Sequence, residues 1–158
     1  MKTKLIVTCL LASVVLMSCS PNVPELNENN RELLLGKWLL VKETMTNGDG
    51  FGGVYTREGE DLWIQWYYEF THKHVTRGAE GMIPFAADTH DYTLLQQKDG
   101  TWLLTIDELY NKPRNLEGGN SPITIHKLTT NSLEWEYESY GGDEGPVVYY
   151  QYLEKTAQ

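Results

Sequence analysis

The stretch "LEWEYES" restricts the fold more than any other feature of the chain. Leu133, Trp135 and Tyr137 alternate with Glu134, Glu136 and Glu138. Successive side chains leave a β-strand on opposite faces, so a period of two predicts a half-buried strand with an acidic outer face. The carboxylate ladder reads as a solvated, edge-protecting surface rather than a cation site. The same parity runs through "LWIQWYYEF", where Leu62, Ile64, Trp66, Tyr68 and Phe70 share a face. In "TWLLTID" Trp102, Leu104 and Ile106 align after the turn signal Lys98-Asp99-Gly100, and in "SPITIHKL" Ile123 and Ile125 align. "PVVYYQYLEK" is rich in Val and Tyr and apolar on both faces, which leaves its register open. With "GKWLLVKETM", a piece near "HVTRG" and another at "DYTLLQQ", the count is about eight strands. Only "NNRELLLG" reads as a helix, of one or two turns.

Short turn signals ("THKH", "KDG", "TTNS") join several of these strands as sequential hairpins. Hairpins with one apolar face close most simply into an up-and-down antiparallel β-barrel of eight strands, which also removes exposed edges. A two-sheet β-sandwich is the alternative. An eight-stranded barrel is either filled by side chains or holds one small ligand.

Gly36-Lys37-Trp38, after a short helical turn and opening the first strand, resembles the G-x-W motif of lipocalins. The run from "LLGKW" through "YYEF", "KDGTWLLTID" and "ITIHKLTTNSLEWEYE" to "VVYYQYLEK" resembles the small lipocalin-like lipoproteins of Bacteroidota. The resemblance implies a barrel in which Trp38 packs across the closed end, with Gly36 and Trp38 structural. The chain departs from the family pattern in carrying Lys155 rather than an arginine near its end. Its Asp91-Tyr92 also comes early for a T-D-Y motif.

The first residues carry a different message. Lys2 and Lys4 precede an apolar run from Leu5 to Leu16, cut off by Pro21 and Asn22. A spanning helix needs about 20 apolar residues, so this is the layout of an export signal instead. Leu16-Met17-Ser18-Cys19 resembles the lipobox of bacterial lipoproteins, in which cleavage precedes a cysteine that carries lipid. On this reading residues 1–18 are a signal peptide, 19–31 a flexible tether, and 32–158 the barrel domain. Cys19 is the lipidation site, its thiolate the nucleophile. Ser20 after the cysteine resembles the pattern of lipoproteins sent to an outer membrane. The expected location is therefore the cell envelope, lipid-anchored in that membrane.

Loss of Lys2 and Lys4 with the signal takes the formal charge from −9 to −11. Such an acidic chain is a poor nucleic-acid binder, since phosphate contacts need Lys and Arg. Cys9 leaves with the signal and Cys19 is blocked, so the mature chain has no internal disulfide and depends on its core.

Three segments are too long for tight hairpins: "TNGDGFGGVYTREGED", "RGAEGMIPFAADTHD" and "ELYNKPRNLEGGNSP". Phe51, Met82, Ile83, Phe85 and Tyr110 lie in them and either cap a cavity or staple the loops. There is no nucleophile elbow, P-loop or H-E-x-x-H motif. "NGDGFGG" fails as an EF-hand, because that register starts at Met45 and ends at Thr56. His72 and His74, with His90 or His126, read as solvent-exposed residues rather than metal ligands. Asp107-Glu108 point oppositely on a strand and cannot flank one bond.

The expectation is a membrane-anchored lipocalin-like protein, not an enzyme, binding a small hydrophobic or amphipathic ligand without a cofactor or metal. Parity nominates Trp66, Tyr68, Trp102, Trp135, Tyr137 and Tyr149 as ligand contacts. A filled barrel acting as an envelope interaction or structural module is the runner-up, and a small hydrolase the third reading.

Overall fold

The computed structural model describes residues 28–47, 53–62, 64–80, 86–110, 120–140 and 146–157. Cys19, the signal segment and Phe51, Met82, Ile83 and Phe85 lie outside them. Helix α1 (Glu28–Leu34) leads into β1 (Gly36–Asn47), and its first turn falls within the segment read as tether. Then come β2 (Val54–Glu58), a 3-10 turn (Gly59–Asp61), β3 (Gln65–Phe70), β4 (His74–Glu80) and β5 (Asp88–Gln96). The last strands are β6 (Trp102–Ile106), β7 (Ile123–Leu128), β8 (Ser132–Ser139) and β9 (Val147–Lys155).

Every pairing between these strands is antiparallel, and β1 pairs with β9, so the sheet closes on itself. On its other edge β1 pairs with β3 through Gly36–Leu39 and with β2 through Lys42–Thr46. Strands β2 and β3 are thus two halves of one barrel strand, interrupted at residues 59–64. The architecture is an all-β, closed, eight-stranded, up-and-down barrel, not a sandwich. The segment "TNGDGFGGVYTREGED" is accordingly not all loop: β2 lies inside it.

Up-and-down winding puts alternate connections at alternate ends. The turns at Thr71–Lys73, Lys98–Gly100 and Thr129–Asn131 lie at the end that α1 covers. Two repeat one device: the Thr71 amide donates to the His74 carbonyl (2.9 Å) while its Oγ1 accepts from the His74 amide (3.0 Å), and Thr129 does the same with Ser132 (2.9 and 2.9 Å). The connections from β1 to β2, from β4 to β5 and from β6 to β7 start at the opposite end, the mouth of the barrel.

Inward parity is kept by β3, β6 and β8. One continuous cluster fills the interior, with Leu34, Trp38, Val75, Leu104, Ile106, Ile123 and Leu133 all fully buried. Burying such side chains contributes about 1.5–3 kcal/mol each. In β1 the register shifts between Leu40 and Lys42: Leu40 faces Leu153, but Lys42 faces Tyr152. The extra residue, Val41, is a β-bulge that switches the inward set from even to odd positions. Trp38 and Leu40 point into the core below it, and Glu43 and Met45 share the inner side with Gln151 and Tyr149 above it.

Candidate functional site

Near the mouth the inward residues change from aliphatic to polar and aromatic, around a cavity of about 250 Å³. Strand β3 contributes Trp66 and Tyr68, and β8 contributes Tyr137 and Ser139. Strand β9 adds Tyr149 and Gln151, and β1 adds Glu43, aimed inward by the bulge at Val41. Arg77 enters from β4, paired in register with Tyr68. Tyr110 and Asn120 come from the connection between β6 and β7. A tight turn over Asp107–Leu109, with Glu108 in the left-handed region (φ 66°), brings Tyr110 back onto Ile106 through an amide-to-carbonyl bond of 2.8 Å. Bridges Tyr110–Asn120 and Asn120–Ser139 then tie this connection to β8.

The tyrosines form one connected wall. The hydroxyls of Tyr68 and Tyr110 are 3.0 Å apart. Tyr110 meets Tyr137 edge to face at 4.7 Å, and Tyr137 stacks on Tyr149 at 5.0 Å with 6° between planes. Burial raises the Tyr68 and Tyr137 phenols well above their ordinary range, and raises Tyr149 as well. All three are therefore neutral hydroxyls at physiological pH. On the other side Gln151 links two partners. Trp135 Nε1 donates to Gln151 Oε1 (2.8 Å), and Gln151 Nε2 donates to Glu43 Oε2 (2.6 Å). That relay gives the inward carboxylate a charge-assisted hydrogen bond.

Of the six nominated contacts, the cavity brings together Trp66, Tyr68, Tyr137 and Tyr149. Trp102 and Trp135 have the inward parity expected but do not line it. Trp102 opens β6 next to the turn at the closed end and is buried there. Trp135 lies one inward step below Tyr137, packed edge to face on Tyr68 at 4.9 Å. Sequence reasoning missed Glu43, Arg77, Asn120, Ser139 and Gln151. An inward Arg could have been read from "HVTRG" by continuing the parity of Val75; the bulge that turns Glu43 inward left no sequence signal.

Each histidine has its own carboxylate neighbour. His72 is 3.9 Å from Glu32, His74 2.6 Å from Asp91, His90 3.1 Å from Asp88 and His126 3.3 Å from Glu136. Among the described residues no three His, Cys, Asp or Glu side chains converge to hold a metal. Asp107 and Glu108 belong to the turn at the mouth.

No protein-family model matches the chain, and no curated protein matches it. Among solved structures it is similar to two apocrustacyanins. Apocrustacyanin C2 is 12% identical with a TM-score of 0.39, over 84% of this chain and 66% of that one. Lobster apocrustacyanin A1 is 12% identical with a TM-score of 0.36, over 84% of this chain and 64% of that one. The chain spans just under two thirds of the length of either. The barrel assignment rests on the strand pairing of this chain itself.

Proposed function

We propose that the chain is a lipid-anchored, lipocalin-like binding protein that takes a small, partly apolar molecule in the cleft at the open end of its barrel. The observation that carries this reading is the change of chemistry along the interior. Below Trp135 the barrel is packed with aliphatic and aromatic side chains. Above it, stacked tyrosines, Trp66, Arg77 and Glu43 surround a cavity. Ligand sites combine aromatic walls with a few placed polar groups in this way. At about 250 Å³ the cavity is smaller than the roughly 300–1,000 Å³ of most such sites, so its ligand is small. A long acyl chain does not fit a barrel filled to this height.

The anchoring half of the proposal is supported by the sequence, through the signal layout and Leu16-Met17-Ser18-Cys19. It places the cleft at the surface of a membrane of the cell envelope, tethered through the segment before the barrel.

Intrinsic tryptophan fluorescence during titration tests the binding reading, because Trp66 lines the cleft. Small aromatic acids, amides and amines, amphiphiles and short glycans form the panel. At least one class is expected to shift the emission saturably, and Trp66→Phe to remove most of that signal. Emission unmoved by every class would sink the reading and favour the interaction module instead. One observation already speaks for that second reading: Val54 and Tyr55 on β2, beside the mouth, are 67% and 60% exposed.

A further inference from the structure

We propose that Arg77 is the anchor of the cleft and that the molecule it takes is a small aromatic carboxylate, a single ring bearing one carboxyl group. This rests on the binding reading above and names its ligand class.

A charge inside a barrel is costly unless paired and hydrogen-bonded. Arg77 points inward from the middle of β4 and is three-quarters buried, with its side chain 25% exposed. Its Nε is buried with no hydrogen-bond partner among the described residues. Its one ionic neighbour there is Asp88, whose Oδ2 is 3.6 Å from Nη2, beyond a hydrogen bond. That carboxylate is itself 42% exposed and also lies 3.1 Å from His90 Nε2. Arg77 lines the cavity, and its guanidinium is a planar fork built to grip a carboxylate through two parallel bonds. An acidic chain that buries an arginine this way has placed the complement of an anion where its outer surface repels one.

The other charge in the cleft does not compete for the role. Glu43 already accepts from Gln151 and lies opposite Arg57 in the pairing of β1 with β2. The walls choose the body of the ligand. Arg77 sits 5.0 Å from the Trp66 ring centre, and the Tyr137–Tyr149 stack presents flat faces. Neutral tyrosine hydroxyls can donate to a second carboxylate oxygen.

The test titrates the mature chain with phenylacetate, phenylacetamide and phenethylamine at pH 7, read by calorimetry and Trp66 fluorescence. Phenylacetate is expected to bind about ten- to a hundredfold more tightly than the amide, the range of one or two hydrogen bonds to a charged group. Arg77→Gln should bring the acid down to the level of the amide and leave the amide unchanged. Arg77→Lys, which keeps the charge but not the fork, should fall between, and it carries the test if Arg77→Gln does not fold. Equal binding of acid and amide, or an Arg77→Gln loss shared by both, would overturn the anchor while leaving the cleft a binding site. Tightest binding by the amine would overturn it in favour of Glu43. Silence from all three probes would overturn the inference, and saturable binding of an amphiphile or a short glycan from the wider panel would show that the cleft is a binding site for another class.

Discussion

Lys155 holds its ammonium 5.0 Å from the centre of the Trp38 ring and donates to the Leu33 carbonyl at 2.9 Å. The two residues face each other in the pairing of the first and last strands, and Trp38 Nε1 donates to the Leu34 carbonyl at 2.7 Å. The seam that closes the barrel therefore also binds the last carbonyls of α1. A cation there offsets the partial negative charge of the helix end. The lysine acts there as a compact point charge, and partial burial lowers its pKa.

Trp38→Ala is expected to cost about 3–5 kcal/mol, the usual cost of truncating a fully buried tryptophan. Lys155→Met should cost less, about 0.5–2 kcal/mol for the lost cation–π contact. Urea denaturation followed by circular dichroism measures both. A Trp38→Ala protein with an unchanged midpoint would mean that the closed end is held by something else.

The tyrosine wall predicts alkaline weakness. Burial raises the phenols of Tyr68 and Tyr137 well above the ordinary value of 10.0. The unfolded chain loses these protons near pH 10 while the folded chain keeps them. Their contribution is constant below about pH 10, and stability falls as pH rises from there towards the folded pKa. Lys37, whose pKa is raised by its contact with Glu80, drifts the same way, so a control is needed. Urea midpoints from pH 8 to 11 should fall less steeply for Tyr137→Phe than for the wild type. Parallel slopes would show that Tyr137 ionises freely in the folded state.

What the sequence disclosed and what it hid divide along one physical line. Strand parity depends only on neighbouring residues, so the inward faces of β3, β6 and β8 could be read directly. Height along the barrel axis depends on which way each strand runs and on the stagger of its neighbours. Trp102 and Trp66 carry the same local signature, yet they lie at opposite ends because β6 runs upward from its first residue and β3 downward. Glu43 was hidden for another reason: an extra residue at Val41 inverts parity only through the pairing with β9. The break between β2 and β3 is likewise a property of pairing with β1.

Lipidation at Cys19 makes a separate prediction, since that residue lies outside the described part of the structure. Mass spectrometry of protein extracted from membranes should find a mature N-terminus at Cys19 carrying acyl chains. Cys19→Ser should release the chain from the membrane fraction, because anchoring needs two or more buried chains at about 0.8 kcal/mol per methylene. Membrane retention of the Cys19→Ser protein at the wild-type level would rule the anchor out.

Gly78 offers a prediction whose sign opposes the general trend. Glycine inside a strand is usually destabilising by roughly 0.5–1 kcal/mol relative to alanine, so Gly78→Ala would ordinarily be a gain. Here Tyr67, its cross-strand partner in β3, lays its ring over the bare glycine on the outer face. A Cβ at position 78 would stand only 2.5 Å from Tyr67 Cζ, so the ring must swing away. That movement strips cover from the backbone of β4 and carries the ring out from under the Lys37 ammonium, 4.2 Å from its centre. Gly78→Ala should therefore destabilise by about 1 kcal/mol, the lower end of overpacking costs. In a Tyr67→Ala background the obstruction is gone, and the same Gly78→Ala change should turn neutral or stabilising. The four midpoints of this double-mutant cycle decide the matter. If Gly78→Ala has the same effect in both backgrounds, the glycine is not there to accommodate the ring.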